Sequence, residues 1–151
     1  MKFTATRLPD VVLIEPAVFS DDRGWFMESF RQKQFADGLA ALGLALPPFV
    51  QGNESLWAAC VLRGLYYQLP PHPQGKLVRV TQGAALDVAV DIRRGLPTFG
   101  QWVAEELSTN NRRQLWIPEG FAHDVVALQG NTHFLNKTTD LYTKDNERAI
   151  R

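Results

Sequence analysis

Apolar residues fall in short clusters bounded by Gly, Pro, Asp and Asn, and within most clusters they alternate with polar residues. That period-two pattern predicts strands. Val11 to Ile14 predicts a strand ending before Pro16, and Asp21 to Gly24 (DDRG) a turn before an aromatic strand, Trp25 to Phe30. Further strands are predicted over Phe49 to Asn53, Val61 to Leu69, Gly75 to Thr81 and Ala85 to Ile92. Gln82-Gly83 between the last two predicts a hairpin turn. Phe99 to Leu107, Gln114 to Ile117, Phe121 to Leu128 and Thr132 to Thr138 complete the set.

One helix is predicted, over Gln32 to Leu42. Phe35, Leu39 and Leu42 recur at helical spacing, and Gly43 stands where a C-terminal cap belongs. Gly38 interrupts it unfavourably, and Pro47-Pro48 forbids its continuation. Many short strands with Gly and Pro turns predict an all-β sandwich or barrel, and a jelly roll is preferred. An immunoglobulin-like sandwich is the weaker alternative, because the early helix and lone cysteine fit it poorly. With 151 residues the chain is read as one domain, 1–151.

Composition narrows the function classes. Sixteen Lys plus Arg balance sixteen Asp plus Glu, so no basic excess exists to neutralise a phosphate backbone, and nucleic acid is not an expected partner. No run of eighteen apolar residues occurs, and the first residues do not read as a signal peptide, so neither membrane association nor export is expected. A single cysteine, Cys60, fits a reducing cytoplasm. The three histidines, His72, His123 and His133, lie too far apart in sequence to suggest a metal site.

Several longer segments are more specific. DDRGWFMESF, VLRGLYYQLPP, GKLVRVTQG, DVAVDIRRGLPTFGQW, RQLWIPEGFAH and KTTDLY follow one another from Asp21 to Tyr142. In that order they resemble the dTDP-4-dehydrorhamnose 3,5-epimerase family of deoxysugar biosynthesis, over nearly the whole chain. The resemblance implies a cupin-type jelly roll, a homodimer, a dTDP-sugar substrate and no metal or organic cofactor. It also implies proton abstraction beside a 4-keto group, with a histidine base, a tyrosine acid and cationic groups steadying the enolate. Arg23 and Glu28, Gln51 and Asn53, Arg63, Lys76, His123 and Glu147 match the family's binding pattern.

Two positions depart from it. LRGLH of the family reads LRGLY here, so Tyr66 stands at the base position; FLYKTTD reads FLNKTTD, so Asn136 stands at the acid position. The resemblance further implies that a family segment beyond Arg151, with an aspartate that orients the histidine, is lacking. A phenol with an ordinary pKa near 10 is ionised to about one part in a thousand at neutral pH, a cost of roughly 4 kcal/mol. An amide cannot act as proton donor in this range. Epimerase activity is therefore expected to be absent or weak.

Gly52, Glu54, Leu56, Trp57, Ala58, Ala59 and Cys60 also differ from the family pattern, as do Asp124 and Val125. Their concentration suggests a repurposed pocket, engineered or natural, and three alternatives follow. Cys60 could act as nucleophile with His123, or secondarily His133, as base on an activated ester, with Asp124 or Glu54 orienting the ring and backbone N–H groups or Asn136 at the oxyanion; its plain alternative is a small buried hydrophobe. Glu54 or Asp124 beside Trp57 could be a desolvated carboxylate base, against an exposed loop charge and a loop or interface aromatic. The third is a non-catalytic sugar-nucleotide binding module.

Overall fold

The computed structural model describes residues 1–150. Thirteen short strands follow in order: β1 Lys2–Ala5, β2 Val12–Glu15, β3 Val18–Asp21, β4 Gly24–Met27, then, after the helix α1 Gln32–Ala40, β5 Gln51–Trp57 and β6 Leu65–Gln68. β7 Lys76–Gln82, β8 Ala84–Asp91, β9 Trp102–Ser108, β10 Gln114–Ile117, β11 Phe121–Ala127, β12 Thr132–Thr138 and β13 Glu147–Ile150 complete the chain. A six-stranded sheet, β1-β2-β10-β7-β12-β5, faces a five-stranded sheet, β13-β6-β11-β8-β9, while β3 and β4 form a separate hairpin. Every recorded strand pair is antiparallel. This is the cupin-type jelly roll that the strand pattern and the resemblance predict.

Period two sorts the side chains onto two faces. Trp57, Val78, Val80, Leu115, Ile117 and Phe134 of the six-stranded sheet meet Ala85, Ala89, Val103, Leu107, Phe121 and Val125 of the five-stranded sheet in the core. The outer face of the six-stranded sheet is covered by α1, where Val12, Ile14, Leu77 and Trp116 pack against Phe35 and Leu39.

The helix ends as its sequence predicts, two residues earlier in strict helical geometry. Leu44 N–H donates to Leu39 O and Gly43 N–H to Ala40 O, with Gly43 at φ 77°. Those paired bonds are a Schellman motif, which needs a left-handed residue at Gly43. Leu42 is left exposed. Gly38 has a tertiary reason: a Cβ there would lie 2.5 Å from the Phe3 ring.

Three expectations about connections are corrected. Gln82-Gly83 does not close a hairpin: β7 pairs with β10 and β12, and β8 with β9 and β11, so the turn carries the chain from one sheet to the other. Local turn chemistry is the same for both outcomes; inter-sheet packing decides. The strand expected over Val61 to Leu69 begins only at Leu65, because residues 58–64 form a loop with Cys60 and Gly64 at positive φ. Conversely β5 runs on through Glu54 to Trp57, where a loop was expected, because it pairs with β12 along its whole length.

Candidate active site

One open end of the sandwich holds a cavity of about 350 Å³, between the six-stranded sheet and β6 and β13. Gln51, Asn53 and Ser55 enter it from β5, Lys76 from β7, Asn136 and Thr138 from β12, Tyr66, Tyr67 and Gln68 from β6, and Glu147 from β13. The residue intervals of two along β5 and β12 are the continuation of the core-facing stripes that hold Trp57 and Phe134. The cavity is thus the polar end of the hydrophobic core.

Its walls are tied together. Asn53 and Asn136 are opposite one another in register, and Asn53 Nδ2 donates to Asn136 Oδ1 at 2.8 Å. Gln51 Nε2 donates to Asn53 Oδ1 at 2.9 Å, and Gln51 Oε1 accepts from the Tyr142 main-chain N–H at 3.1 Å. Tyr142 in turn donates its hydroxyl to Glu147 Oε2 at 3.2 Å. Gln68 accepts from Thr143 N–H and donates to the carbonyls of His72 and Leu141, which fastens the 141–143 segment beside the cavity. Tyr66 donates its hydroxyl to the Arg63 carbonyl at 3.1 Å.

Lys76 differs from its neighbours. Burial pulls its ammonium pKa below the usual lysine range, against the opposing pull of Asp87, Glu147 and Asp124. Behind it, His123 Nε2 meets Asp87 Oδ2 at 2.8 Å, and the His123 ring stacks on Phe134 at a centroid distance of 6.3 Å. Asp87 is fully buried, and its Oδ1 has no hydrogen-bond partner.

The cavity therefore unites six of the residues singled out from the sequence: Gln51, Asn53, Tyr66, Lys76, Asn136 and Glu147. Period-two reading from Asn53 and Asn136 would have added Ser55 and Thr138, and from Tyr66, Gln68. Gln74 and Tyr142, on loops, carry no such signal.

Other expected residues are elsewhere. Arg23 lies in the β3–β4 hairpin, ion-paired to Asp21, and Glu28 pairs with Arg31 beside it. Arg63 stacks its guanidinium over Trp57, 4.3 Å from the ring centroid. His123 is buried behind the cavity rather than lining it.

The cysteine–histidine arrangement finds no support. Cys60 sits exposed at φ 62° in the 58–64 loop, so it is not a buried hydrophobe either. Its main-chain N–H donates to Ala127 O, whereas His123 is committed to Asp87 inside the core. Asp124 orients no imidazole: its Oδ2 accepts from the main-chain N–H groups of Arg63 and Gly64, at 3.2 and 2.7 Å. Glu54 does hold a ring, with Oε1 3.1 Å from His133 Nδ1, but on the exposed outer face of the sheet. Trp57 is buried on the opposite face, with its Nε1–H donated to Ser55 Oγ, so it is neither a loop aromatic nor a neighbour for a Glu54 base. The replaced positions thus do not cluster in one pocket: Tyr66 and Asn136 line the cavity, while Leu56 and Cys60 face solvent. Among the described residues, no group of three His, Cys, Asp or Glu side chains could hold a metal ion, and no helix is long and apolar enough to cross a membrane.

Comparison with known proteins agrees with this architecture. A dTDP-4-dehydrorhamnose 3,5-epimerase of Pseudomonas aeruginosa is 55% identical over 150 residues, covering 99% of this chain and 80% of the relative. One from Shigella flexneri is 53% identical over 150 residues, covering 99% and 81%. The crystal structure of dTDP-6-deoxy-D-glucose-3,5-epimerase from Legionella pneumophila in complex with dTDP-4-keto-L-rhamnose superposes with a TM-score of 0.92 at 45% identity, covering 99% of this chain and 77% of that one. The family model described as dTDP-4-dehydrorhamnose 3,5-epimerase matches residues 5–151, and the chain belongs to this family of sugar-nucleotide isomerases.

Proposed function

We propose that this chain binds a dTDP-4-keto-sugar in the cavity at the end of the sandwich, and that its 3,5-epimerase turnover is absent or strongly reduced. One observation carries the reading: Tyr66 and Asn136 line the same cavity as Gln51, Asn53, Lys76 and Glu147. Side chains that the family resemblance assigns to sugar-nucleotide binding thus surround two altered proton-transfer positions. Lys76 brings the positive charge that a keto oxygen or a diphosphate attracts. Tyr66 spends its hydroxyl proton on a main-chain carbonyl, and a phenol is a poor base at neutral pH. Asn136 can donate a hydrogen bond but not a proton. A positioned general base or acid contributes about 10²- to 10⁴-fold each, so losing both removes most of the rate. The Legionella pneumophila relative, whose structure holds dTDP-4-keto-L-rhamnose, supports the ligand class.

The assembly that binds the ligand is a homodimer in this reading. The accessible surface is 8490 Å², against roughly 7,700 Å² for a compact monomer of this mass. The β3–β4 hairpin presents Phe19, Trp25 and Phe26 at 67%, 53% and 69% exposure, an apolar surface suited to a second copy. Arg23 and Glu28 flank those aromatics and would serve the assembled dimer rather than the cavity of their own chain. An exposed thiol at Cys60 fits a reducing cytoplasm.

Two measurements test the reading. Calorimetric titration with dTDP should give saturable heat; no heat and no thermal shift at millimolar dTDP would remove the ligand assignment. Incubation of dTDP-4-keto-L-rhamnose with the protein in D₂O should leave carbons 3 and 5 exchanging far more slowly than with the P. aeruginosa relative. Exchange at an equal rate would overturn the catalytic half.

A further inference from the structure

Five side chains lining the cavity can exchange a proton: Tyr66, Tyr67, Lys76, Tyr142 and Glu147. Tyr142 and Glu147 are bonded to each other, and Tyr66 to the Arg63 carbonyl. Lys76 alone among them is a primary amine, and it lines the cavity beside Tyr66 and Asn136. Its strand is held on both sides, opposite Ile117 of β10 and Thr138 of β12, so the side chain leaves a fixed stretch of backbone and reaches the cavity.

We propose that Lys76 is a nucleophile that forms an imine with the keto group of the sugar bound in this cavity. The proposal rests on the reading of the cavity as a keto-sugar site and deepens it. The neutral amine adds its lone pair to the carbonyl carbon, and the π pair moves to oxygen, which takes a proton from nitrogen. The carbon–oxygen bond then breaks, and the hydroxyl leaves as water with the second nitrogen proton. Amine and ketone thus become imine and water, with no oxidant or reductant required. Desolvation favours the step, since it holds a larger fraction of the lysine as free amine than water would. Asp87, Glu147 and Asp124 act in the other direction, and burial outweighs them.

A histidine base and tyrosine acid would carry a bound ketone through turnover and release. With Tyr66 and Asn136 in their places, the ketone stays bound beside the amine. The imine also replaces the keto group as the electron sink next to carbons 3 and 5.

Borohydride trapping tests this on the full chain. Protein mixed with dTDP-4-keto-L-rhamnose is reduced and its intact mass measured, with dTDP calorimetry run in parallel. The expected result is a mass gain equal to the sugar nucleotide less one oxygen, mapping to the peptide that holds Lys76. Lys76→Arg should lose the adduct, and the mapping of the parent's adduct to Lys76 carries the assignment whatever that variant does to dTDP affinity. A protein that binds dTDP yet gives no adduct overturns the imine and leaves the ligand assignment standing. Absence of both dTDP binding and adduct overturns both. An adduct on other lysines, or one that persists in Lys76→Arg, also overturns it.

Discussion

Asn53 gives its amide N–H to the side-chain oxygen of Asn136 across the β5–β12 ladder, at 2.8 Å. The contact fixes which end of the Asn136 amide meets the cavity. Its oxygen is engaged with Asn53, so its NH₂ is left to face a ligand. The acid position of the family has become a hydrogen-bond donor without a transferable proton. In the proposed reading, Asn136 and the phenol of Tyr66 together leave a sugar-nucleotide site without its proton shuttle.

Restoring both proton-transfer groups should restore exchange. The double variant Tyr66→His with Asn136→Tyr is expected to raise deuterium incorporation at carbons 3 and 5 of dTDP-4-keto-L-rhamnose by about 10²-fold or more over the parent chain. Each single variant should gain much less, because base and acid act on opposite faces of one sugar. NMR of the recovered sugar in D₂O reads the result. A double variant no faster than its parent would show that these two positions do not limit the chemistry.

Asp91 makes the fold acid-sensitive. Its carboxylate is fully buried. Burial by itself would raise its pKa, but hydrogen bonds from Arg93 and Thr98 outweigh it and bring the pKa down to about 2. The folded value thus lies below the ordinary value of about 3.9, so the stabilisation is complete above that value and is lost as pH falls from about 4 to about 2. The group's share is on the order of 2 kcal/mol. Urea titrations at stepped pH should show the midpoint falling through that window. Asp91→Asn removes one of the two carboxylates paired with Arg93, the other being Asp10, and should lower stability by about 2 kcal/mol near neutral pH and flatten the acid dependence. An unchanged acid profile in that variant would assign the transition to other carboxylates.

Gly38→Ala separates helix propensity from tertiary contact. Propensity favours Ala over Gly in a helix interior by about 1 kcal/mol. Here a Cβ would stand 2.5 Å from the Phe3 ring, which packs edge-on against Phe35 at a centroid distance of 5.4 Å. Overpacking of this kind costs about 1–3 kcal/mol, so the net change should be destabilising. Thermal unfolding decides the sign, and a rise in Tm would mean that Phe3 yields freely.

Asp124 pins the loop that carries Cys60. One carboxylate oxygen accepts from the main-chain N–H groups of Arg63 and Gly64. Asp124→Ala leaves both donors without that acceptor and should cost about 2 kcal/mol. Asp124→Asn keeps an acceptor oxygen and should cost less. Limited proteolysis is expected to cut within residues 58–64 faster in the alanine variant, and equal rates in both would argue against this pin.

Cys60 itself should be dispensable. It occupies a left-handed backbone conformation at φ 62°, which costs an ordinary residue roughly 1 kcal/mol or more. Cys60→Gly is therefore expected to raise Tm slightly, to leave dTDP binding unchanged and to abolish thiol labelling. Loss of dTDP binding in this variant would tie the loop to the cavity.

Much of this protein was legible in its residues alone. Alternation along Thr132–Thr138 placed that strand without error, since a half-buried strand must alternate its side chains, and the short apolar run Gln114–Ile117 placed a strand buried on both faces. Gly43 marked the helix end because the Schellman geometry there demands a left-handed residue. Tyr66 and Asn136, which the structure brings into one cavity, were visible as departures from otherwise continuous motifs. Tertiary structure alone decided which partner each strand took. Gln82-Gly83 could equally have closed a hairpin or turned a corner between sheets, and only the packing of two apolar faces selects the corner. It also decided which titratable groups share solvent: Lys76, Tyr66 and Glu147 converge from three strands, while Cys60 and His123, 63 positions apart in the chain, are separated by the wall of the core. Strand alternation is a local property of the backbone, whereas the approach of distant side chains depends on the register between strands, which no single segment encodes.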